Sequence, residues 1–128
     1  MDTKFVGMAL IAVAVLSLTA AQILIKSRLG LLGAIPLSPR ELLAYGLQLA
    51  ADWAIWIGIG GLLVASLLWY AAISRLPLSV AYPFAALSYP LIFLGSLVLL
   101  RETFSWQALG GNVMIVLGVL LVASSTQG

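Results

Sequence analysis

The sequence predicts an all-α membrane protein, an antiparallel bundle of four transmembrane helices with an amphipathic helix between helices 1 and 2. Hydrophobic residues make up 63% of the 128 residues and charged residues only 8%, a balance too apolar for a soluble domain. Four apolar runs each approach the roughly 20 residues that cross a bilayer core. Short joints follow the second and third runs, so these helices turn straight back into the membrane and lie antiparallel.

The four runs define the predicted spans within one domain that covers residues 1–128. They are Phe5–Ile25, Trp53–Ile73, Leu78–Leu100 and Phe104–Ala123. The first run follows Lys4 and resembles a signal peptide, but it is longer than the roughly 7 to 15 apolar residues of a signal core. We therefore expect it to stay in the protein as helix 1.

The connection between the first two runs contains the predicted amphipathic helix, over residues 39–52. Ser38, Pro39 and Glu41 form a helix start in which Ser38 caps and Glu41 completes a capping box. Polar residues then recur at helical spacing, at Glu41, Tyr45, Gln48 and Asp52. Continued to the end of the second run, this helix would be about 50 Å long, against a hydrocarbon core of about 30 Å. Residues 39–52 are therefore expected to lie on the membrane surface or project from it.

The composition excludes several classes of function. The chain has no histidine and no cysteine, which excludes disulfides, thiol chemistry and ordinary zinc sites. Its net charge of +2 is too small to indicate nucleic acid as a partner. Catalytic motifs and phosphate loops are absent, so we expect neither an enzyme nor a bound cofactor.

Polar residues on one face of helix 1 suggest a site. Thr19, Gln22 and Lys26 are spaced by three and four residues, so they share that face. The face lines a path for a polar or anionic head group with Lys26 near its mouth, or else Lys26 only snorkels and Gln22 bonds a neighbouring helix. Both interpretations stay open at this point.

Aromatic residues with hydroxyl tips suggest the opposite wall of such a path. Tyr82 and Tyr89 fall on one face of helix 3, and Trp69 near the end of helix 2 is either part of an interfacial aromatic belt or a cavity wall. Stripes of this kind also occur in ordinary packing. The predicted substrate-binding residues are Gln22, Lys26, Trp69, Tyr82, Ser88 and Tyr89.

Two prolines interrupt helix 3, at Pro83 and Pro90. Each lacks an N–H group and crowds the carbonyl four residues earlier, which belongs to Ser79 and Ala86 respectively. Freed carbonyls at membrane depth need a partner or a watered cavity. The sequence therefore predicts that helix 3 is bent and that Pro83 and Pro90 gate a cavity, although Pro83 also suits a position in the first helical turn.

Helix 4 contains Gly110, Gly111 and Gly118, small residues that let helices approach closely. We expect these glycines to form a packing or dimerisation surface. Four helices enclose little volume by themselves, so a substrate path calls for a second subunit. The predicted assembly is a homodimer, or a heterodimer with a related small subunit.

The segment "RLPLSVAYPFAALSYPL" and the helix that follows it resemble the small multidrug resistance family and the wider drug/metabolite transporter superfamily. Pro77, Ser79, Ala81 and Tyr82 carry the resemblance at the start of helix 3. Glu102 stands nine residues before Gly111, "GNVMIVLGV" follows, and "QILIK" at 22–26 is similar to the family's helix 1 ending. The resemblance covers nearly the whole chain.

One position departs from the drug-exporting branch of that family. The exporters carry a glutamate in helix 1 that exchanges protons for cations, and Leu18 occupies its place here. The chain is more similar to the small flippase subunits for undecaprenyl phosphate-linked aminoarabinose. That resemblance implies a multi-pass protein of the bacterial inner membrane that moves a lipid-linked sugar. The alternatives are cation export through Glu102 or Asp52, and a membrane subunit that does not transport.

Overall fold

The computed structural model describes residues 2–125, and within them every regular element is a helix. The six helices are α1 (Thr3–Leu32), α2 (Pro39–Ala50), α3 (Trp53–Ile73), α4 (Leu78–Ala85), α5 (Ser88–Val98) and α6 (Trp106–Ser125). Four segments are long and apolar enough to cross a membrane: α1, α3, the pair α4 and α5 taken together, and α6. The predicted all-helical fold with four membrane spans is confirmed.

The first helix is longer than its apolar run. It continues past Ile25 through Lys26 and Arg28 and ends at Leu32, because long basic side chains are good helix formers and reach the water outside a membrane. Gly33 ends it with φ of 87°, a conformation that favours glycine, and its N–H donates to the Leu29 carbonyl over 3.0 Å. At about 45 Å, α1 extends beyond a hydrocarbon core of about 30 Å.

A short helix, α2, lies in the connection where the amphipathic helix was expected. Ser38 occupies its N-cap position, but the hydroxyl makes no capping hydrogen bond, so the predicted capping box is wrong. The helix stops at Ala50, and the Asp52 carboxylate caps α3 by accepting from the Ala54 N–H over 3.0 Å. The helices α2 and α3 are therefore separate, whereas the position of residues 39–52 on a membrane surface stays a prediction.

The contact between α1 and α3 is the most extensive in the fold. Its middle depends on small residues: a Cβ atom at Gly58 would lie 2.5 Å from Cγ1 of Ile25, and one at Gly61 would lie 3.0 Å from Cβ of Ala21. The Ser17 hydroxyl donates to the Gly61 carbonyl over 2.9 Å. In lipid, an apolar side chain contacts the acyl chains as favourably as it contacts another helix. Close packing of small residues and a hydrogen bond between the helices therefore hold such a pair together.

The core begins at one end of this helix pair and extends to α4. Its buried members come from α1, the end of α3, the following turn and α4, and they are Ile11, Val15, Ala72, Leu76 and Ala81. The helix α5 then packs against α1 at a point where Gly95 leaves room for Ile23. Two transmembrane segments, α3 and the pair α4 and α5, are thus packed against α1.

The last helix, α6, packs on α4 and α5. Gly110, Gly111 and Gly118 do not serve this packing, because nothing lies within 4 Å of a Cβ atom placed at any of them. The prediction that these glycines pack against another helix is therefore wrong for contacts within the chain. Gly58, Gly61 and Gly95 have that role instead. Their use as a dimer surface stays a prediction.

The third span is broken into two helices between Ala85 and Ser88. Pro90 lies in the first turn of α5, where an N–H group has no partner within the helix in any case. The Ala86 carbonyl accepts from the Tyr89 N–H over 3.0 Å. The expected interruption is present, but the prediction that Pro90 leaves the Ala86 carbonyl without a partner is wrong. Pro83 is the proline inside a helix, in α4.

Two neighbouring glycines of α3 provide a matched test of the contact between α1 and α3. Gly58→Ala places a methyl group against Ile25, and we expect it to destabilise the protein by roughly 1–3 kcal/mol, as overpacking does. Gly60→Ala meets no atom within 4 Å and should be neutral or stabilising, since alanine favours helix. Thermal unfolding in detergent measures both variants. Equal melting temperatures for the two would contradict the packing described here.

The positions of the two prolines predict opposite effects of their replacement. Pro83→Ala restores an N–H group to the interior of α4 and should raise the free energy of unfolding by roughly 1–3 kcal/mol. Pro90→Ala adds an N–H to a first turn whose nearest carbonyl already has a donor, so no comparable gain is expected. Unfolding of both variants under the same conditions tests this. A larger gain for Pro90→Ala would show that the third span is a continuous helix bent at Pro90.

Candidate functional site

An open groove of about 490 Å³ lies between α1, α3 and α4. The first helix contributes Ala14, Val15 and Leu18. The other walls come from α3 and α4, with Leu62, Ala65, Ser66, Trp69, Tyr70, Tyr82 and Ala85. The groove is therefore built by the same helix pair that forms the main contact of the fold, closed on a third side by the first half of the broken span.

Trp69 and Tyr82 form the aromatic end of the groove. Their ring centroids are 5.1 Å apart at 74°, an edge-to-face arrangement that aromatic pairs prefer. The Trp69 ring also packs against the buried core, so its position is fixed by residues beneath it. Tyr82 is 60% exposed, which leaves its ring and hydroxyl available at the surface of the groove.

The groove contains no acidic or basic side chain. Its polar groups are the hydroxyls of Ser66, Tyr70 and Tyr82 and the indole N–H of Trp69. Leu18 lies in its wall, so this position of α1 offers the groove no carboxylate. A groove of this kind offers apolar surface with a few hydrogen-bonding groups, but no carboxylate that could exchange a proton for a cation.

The two carboxylates considered for such exchange lie elsewhere. Asp52 accepts the Ala54 N–H through Oδ1, and its Oδ2 pairs with Arg28 Nε at 3.6 Å. Glu102 is exposed in the connection between α5 and α6, and its backbone N–H donates to the Ser96 carbonyl. Within residues 2–125, no cluster of three or more potential metal ligands occurs. Neither carboxylate is in the groove.

Of the predicted substrate-binding residues, Trp69 and Tyr82 meet in the groove and Lys26 lies apart from them. Lys26 lines a second cavity, of about 420 Å³, where the last turns of α1 meet the following loop and α2. A third cavity, of about 300 Å³, is walled by apolar residues of α1, α4 and α5. The three predicted residues that line a cavity are thus divided between two separate places on the molecule.

The remaining predicted residues line none of these three cavities. Gln22 is exposed, Ser88 is buried, and Tyr89 is 62% exposed. The break before Ser88 separates Tyr89 from the helix that carries Tyr82, so the two tyrosines do not line one groove. Thr19 is also buried, and its hydroxyl has no hydrogen-bond partner among the described residues.

Small apolar residues form much of the groove and carry no chemical signal in the sequence. Ala14 and Ala65 are buried at 5% and 6% exposure, and they create space by being small rather than by offering a reactive group. Tyr45, in the wall of the Lys26 cavity, was part of the polar stripe of the amphipathic helix. The glycine at position 33, which ends α1 with a positive φ, is the sequence signal that could have indicated a turn after α1.

Comparisons with known proteins identify flippase subunits among the relatives of this chain. The chain is 37% identical over 110 residues to a probable 4-amino-4-deoxy-L-arabinose-phosphoundecaprenol flippase subunit ArnF of Erwinia tasmaniensis, covering 84% of this chain and 87% of the relative. The corresponding protein of Klebsiella pneumoniae is 40% identical over 72 residues, 55% of this chain and 57% of the relative. That of Shewanella sediminis is 40% identical over 76 residues, 58% of this chain and 52% of the relative.

No protein-family model matches the chain. No solved structure matches it either.

Proposed function

Because this chain belongs to the ArnF family of flippase subunits, we propose that it is a subunit of a flippase for an undecaprenyl phosphate-linked aminosugar. It is a multi-pass protein of the bacterial inner membrane, with four helices long and apolar enough to cross it. The proposed activity is transport rather than catalysis. The observation that carries the proposal is the open groove without charged side chains.

The groove suits a substrate whose lipid tail stays in the bilayer. An opening between helices lets an undecaprenyl chain remain in hydrocarbon while the sugar passes along the protein. Aromatic rings with polar tips, here Trp69 and Tyr82, offer a sugar both an apolar face and hydrogen bonds. A groove without carboxylates suits this passage, because the phosphate of the same molecule balances the charge of the sugar's amino group and the groove has to supply only hydrogen bonds.

The same groove disfavours cation export. An exporter of cations needs an acidic group in its path to balance the substrate's charge in a medium where charge is costly. Leu18 supplies none, and Asp52 is engaged by Arg28. The roles of Gln22, Ser88 and Tyr89 in substrate binding stay predictions, since none of the three lines the groove.

The break between α4 and α5 is the proposed gate. It lies directly after Ala85, which lines the groove, and Pro83 and Pro90 flank it on either side. Two short helices joined by a turn shift relative to one another more readily than one continuous helix does. Movement of α4 carries Tyr82 towards or away from Trp69, and so narrows or widens the groove.

Flipping by the reconstituted protein tests the function directly. Vesicles that contain the protein, alone or with a related small subunit, should translocate an undecaprenyl phosphate-linked aminosugar faster than protein-free vesicles. Trp69→Ala should slow translocation by about tenfold, roughly 1.4 kcal/mol of barrier, because it removes one wall of the groove. Trp56→Ala, on an exposed tryptophan of α3 that does not line the groove, is the control and should translocate like wild type.

Two outcomes of this experiment would reject the proposal. Uptake of a quaternary ammonium compound driven by a pH gradient, without movement of the aminosugar, would identify a cation exporter. Absence of translocation with and without the related subunit, under conditions where the protein stays folded, would identify a subunit that does not transport.

A second subunit is proposed to pack against α6. Gly110, Gly111 and Gly118 have open space above them, and Met114 beside them is 73% exposed. A partner helix can approach such a strip closely. The partner is a copy of this chain or a related small subunit, and it supplies the wall that the open side of the groove lacks.

Enlarging one glycine tests this surface. Gly118→Leu should weaken association by about tenfold, roughly 1.4 kcal/mol, because the side chain keeps the partner helix at a distance. Gly60→Leu is the matched control, since Gly60 also has open space above it but lies on α3. Energy transfer between labelled subunits in vesicles measures association. Unchanged association for Gly118→Leu, or equal loss for both variants, would place the interface elsewhere.

A further inference from the structure

The second cavity, of about 420 Å³, is formed where α1 leaves the membrane span. Lys26 on α1 forms one wall, the loop at Gly33, Ala34 and Ile35 forms another, and Tyr45 on α2 closes the third. It shares no lining residue with the groove. It is thus a separate place on the molecule, and the proposed passage of the sugar does not use it.

A buried tyrosine fixes the shape of this cavity. Tyr45 is only 7% exposed although it lies on a short surface helix. Its hydroxyl donates to the Gly33 carbonyl over 2.7 Å, and Gly33 is the residue whose positive φ ends α1. The hydrogen bond therefore ties α2 to the loop after α1 and holds the wall opposite Lys26 in place.

Lys26 is the charged residue of the cavity wall, and no carboxylate lines the cavity with it. Arg28, two residues further, is already neutralised: its Nε lies 3.6 Å from Asp52 Oδ2, and its guanidinium lies 5.8 Å from the centre of the Trp53 ring. Among residues 2–125, Lys26 forms no ion pair. The positive charge at this cavity is therefore uncompensated by the chain itself.

Two backbone donors accompany that charge. Within the described part of the chain, no hydrogen bond uses the N–H groups of Ala34 and Ile35, which belong to the cavity wall. An ammonium group with free backbone N–H groups nearby is an arrangement that binds phosphate, for which lysine acts as a point charge. The chemistry of the cavity therefore favours a phosphate group over a neutral or cationic ligand.

The surroundings of the cavity indicate that this phosphate is attached to a lipid. Leu31, Ile35 and Leu37 are 74%, 52% and 97% exposed around it, and exposed apolar side chains of this kind fit hydrocarbon rather than water. Lys26 lies about 35 Å along α1 from Thr3, just beyond a hydrocarbon core of about 30 Å. A charged pocket at head-group level with an apolar rim matches an amphiphile with an anionic head.

We infer that the Lys26 cavity binds the phosphate of the undecaprenyl-linked substrate at the membrane surface, outside the groove through which the sugar passes. The assignment of the lipid tail rests on the proposed function. The loop tied by Tyr45 holds the phosphate against Lys26 while the tail stays in the bilayer. This gives the subunit a docking site from which the sugar can enter the groove.

Binding of undecaprenyl phosphate itself tests this site without requiring translocation. The full chain in phosphatidylcholine nanodiscs is titrated with undecaprenyl phosphate, and the affinity is measured for wild type and variants. Lys26→Met removes the charge and should weaken binding at least tenfold, whereas Lys26→Arg should stay within about threefold of wild type because it keeps the charge. Tyr45→Phe should weaken binding by about threefold to fivefold, because it removes only the hydroxyl that ties the loop.

The control is Lys4→Met, a second exposed lysine at the opposite end of α1, which should bind like wild type. A competition arm with phosphatidylglycerol identifies the source of the phosphate. In this arm, labelled undecaprenyl phosphate is bound first. Its displacement by unlabelled undecaprenyl phosphate but not by phosphatidylglycerol supports a substrate site, and equal displacement by both lipids overturns that assignment. Equal affinity of Lys26→Met and wild type overturns the site itself, even where flipping is observed. Normal binding without any flipping would instead count against the proposed function alone.

Discussion

The close approach of α1 and α3 is the contact on which the rest of the molecule depends. Gly58 and Gly61 let the two helices meet almost backbone to backbone, and the bond from Ser17 to the Gly61 carbonyl joins them at that level. In lipid there is no hydrophobic force to compensate for a poor fit, so this small-residue contact sets the spacing of the pair. Nearer the other end of the pair, the small residues Ala14 and Ala65 leave the space of the groove, and Leu18 and Trp69 form part of its walls.

The proposed substrate follows from the absence of charged side chains in the groove. A carboxylate at the position of Leu18 would bind cations and exchange protons, whereas a leucine leaves a passage for groups that need hydrogen bonds and an apolar wall. The charged side chains lie outside the groove, and three of them, Lys26, Arg28 and Asp52, lie near the end of α1 and the start of α3. Arg28 pairs with Asp52, which caps α3, whereas Lys26 forms no ion pair among the described residues. In the proposed function the phosphate first docks at Lys26, and the sugar enters the groove in a later step.

Hydropathy and spacing predicted the number of membrane spans, the short helix between the first two, and the two aromatic residues that meet in the groove. They could not predict where α1 ends, because hydropathy falls at Lys26 while helical structure continues to Leu32. The glycines show a different limit. Gly60 and Gly61 are adjacent in sequence but point about 100° apart on a helix, and only the position of α1 decides that Gly61 is the one in contact.

Pro90 shows that the sequence also does not predict how the backbone is interrupted. A proline in a long apolar run either bends one helix or begins another, and the two cases differ only in which N–H group bonds the Ala86 carbonyl. In the structure Tyr89 supplies that group. No pattern in the sequence of the third span distinguishes the two cases.

The most direct measurement of the central claim is proton release on substrate binding. The purified protein in weakly buffered detergent is mixed with the undecaprenyl phosphate-linked aminosugar, and the pH of the solution is measured. The positive control is a Leu18→Glu variant mixed with tetraphenylphosphonium. If the groove works without a carboxylate, the wild-type protein binds the aminosugar without releasing protons, and only the variant releases them when the cation is added. Stoichiometric proton release by the wild-type protein with either compound would contradict the account.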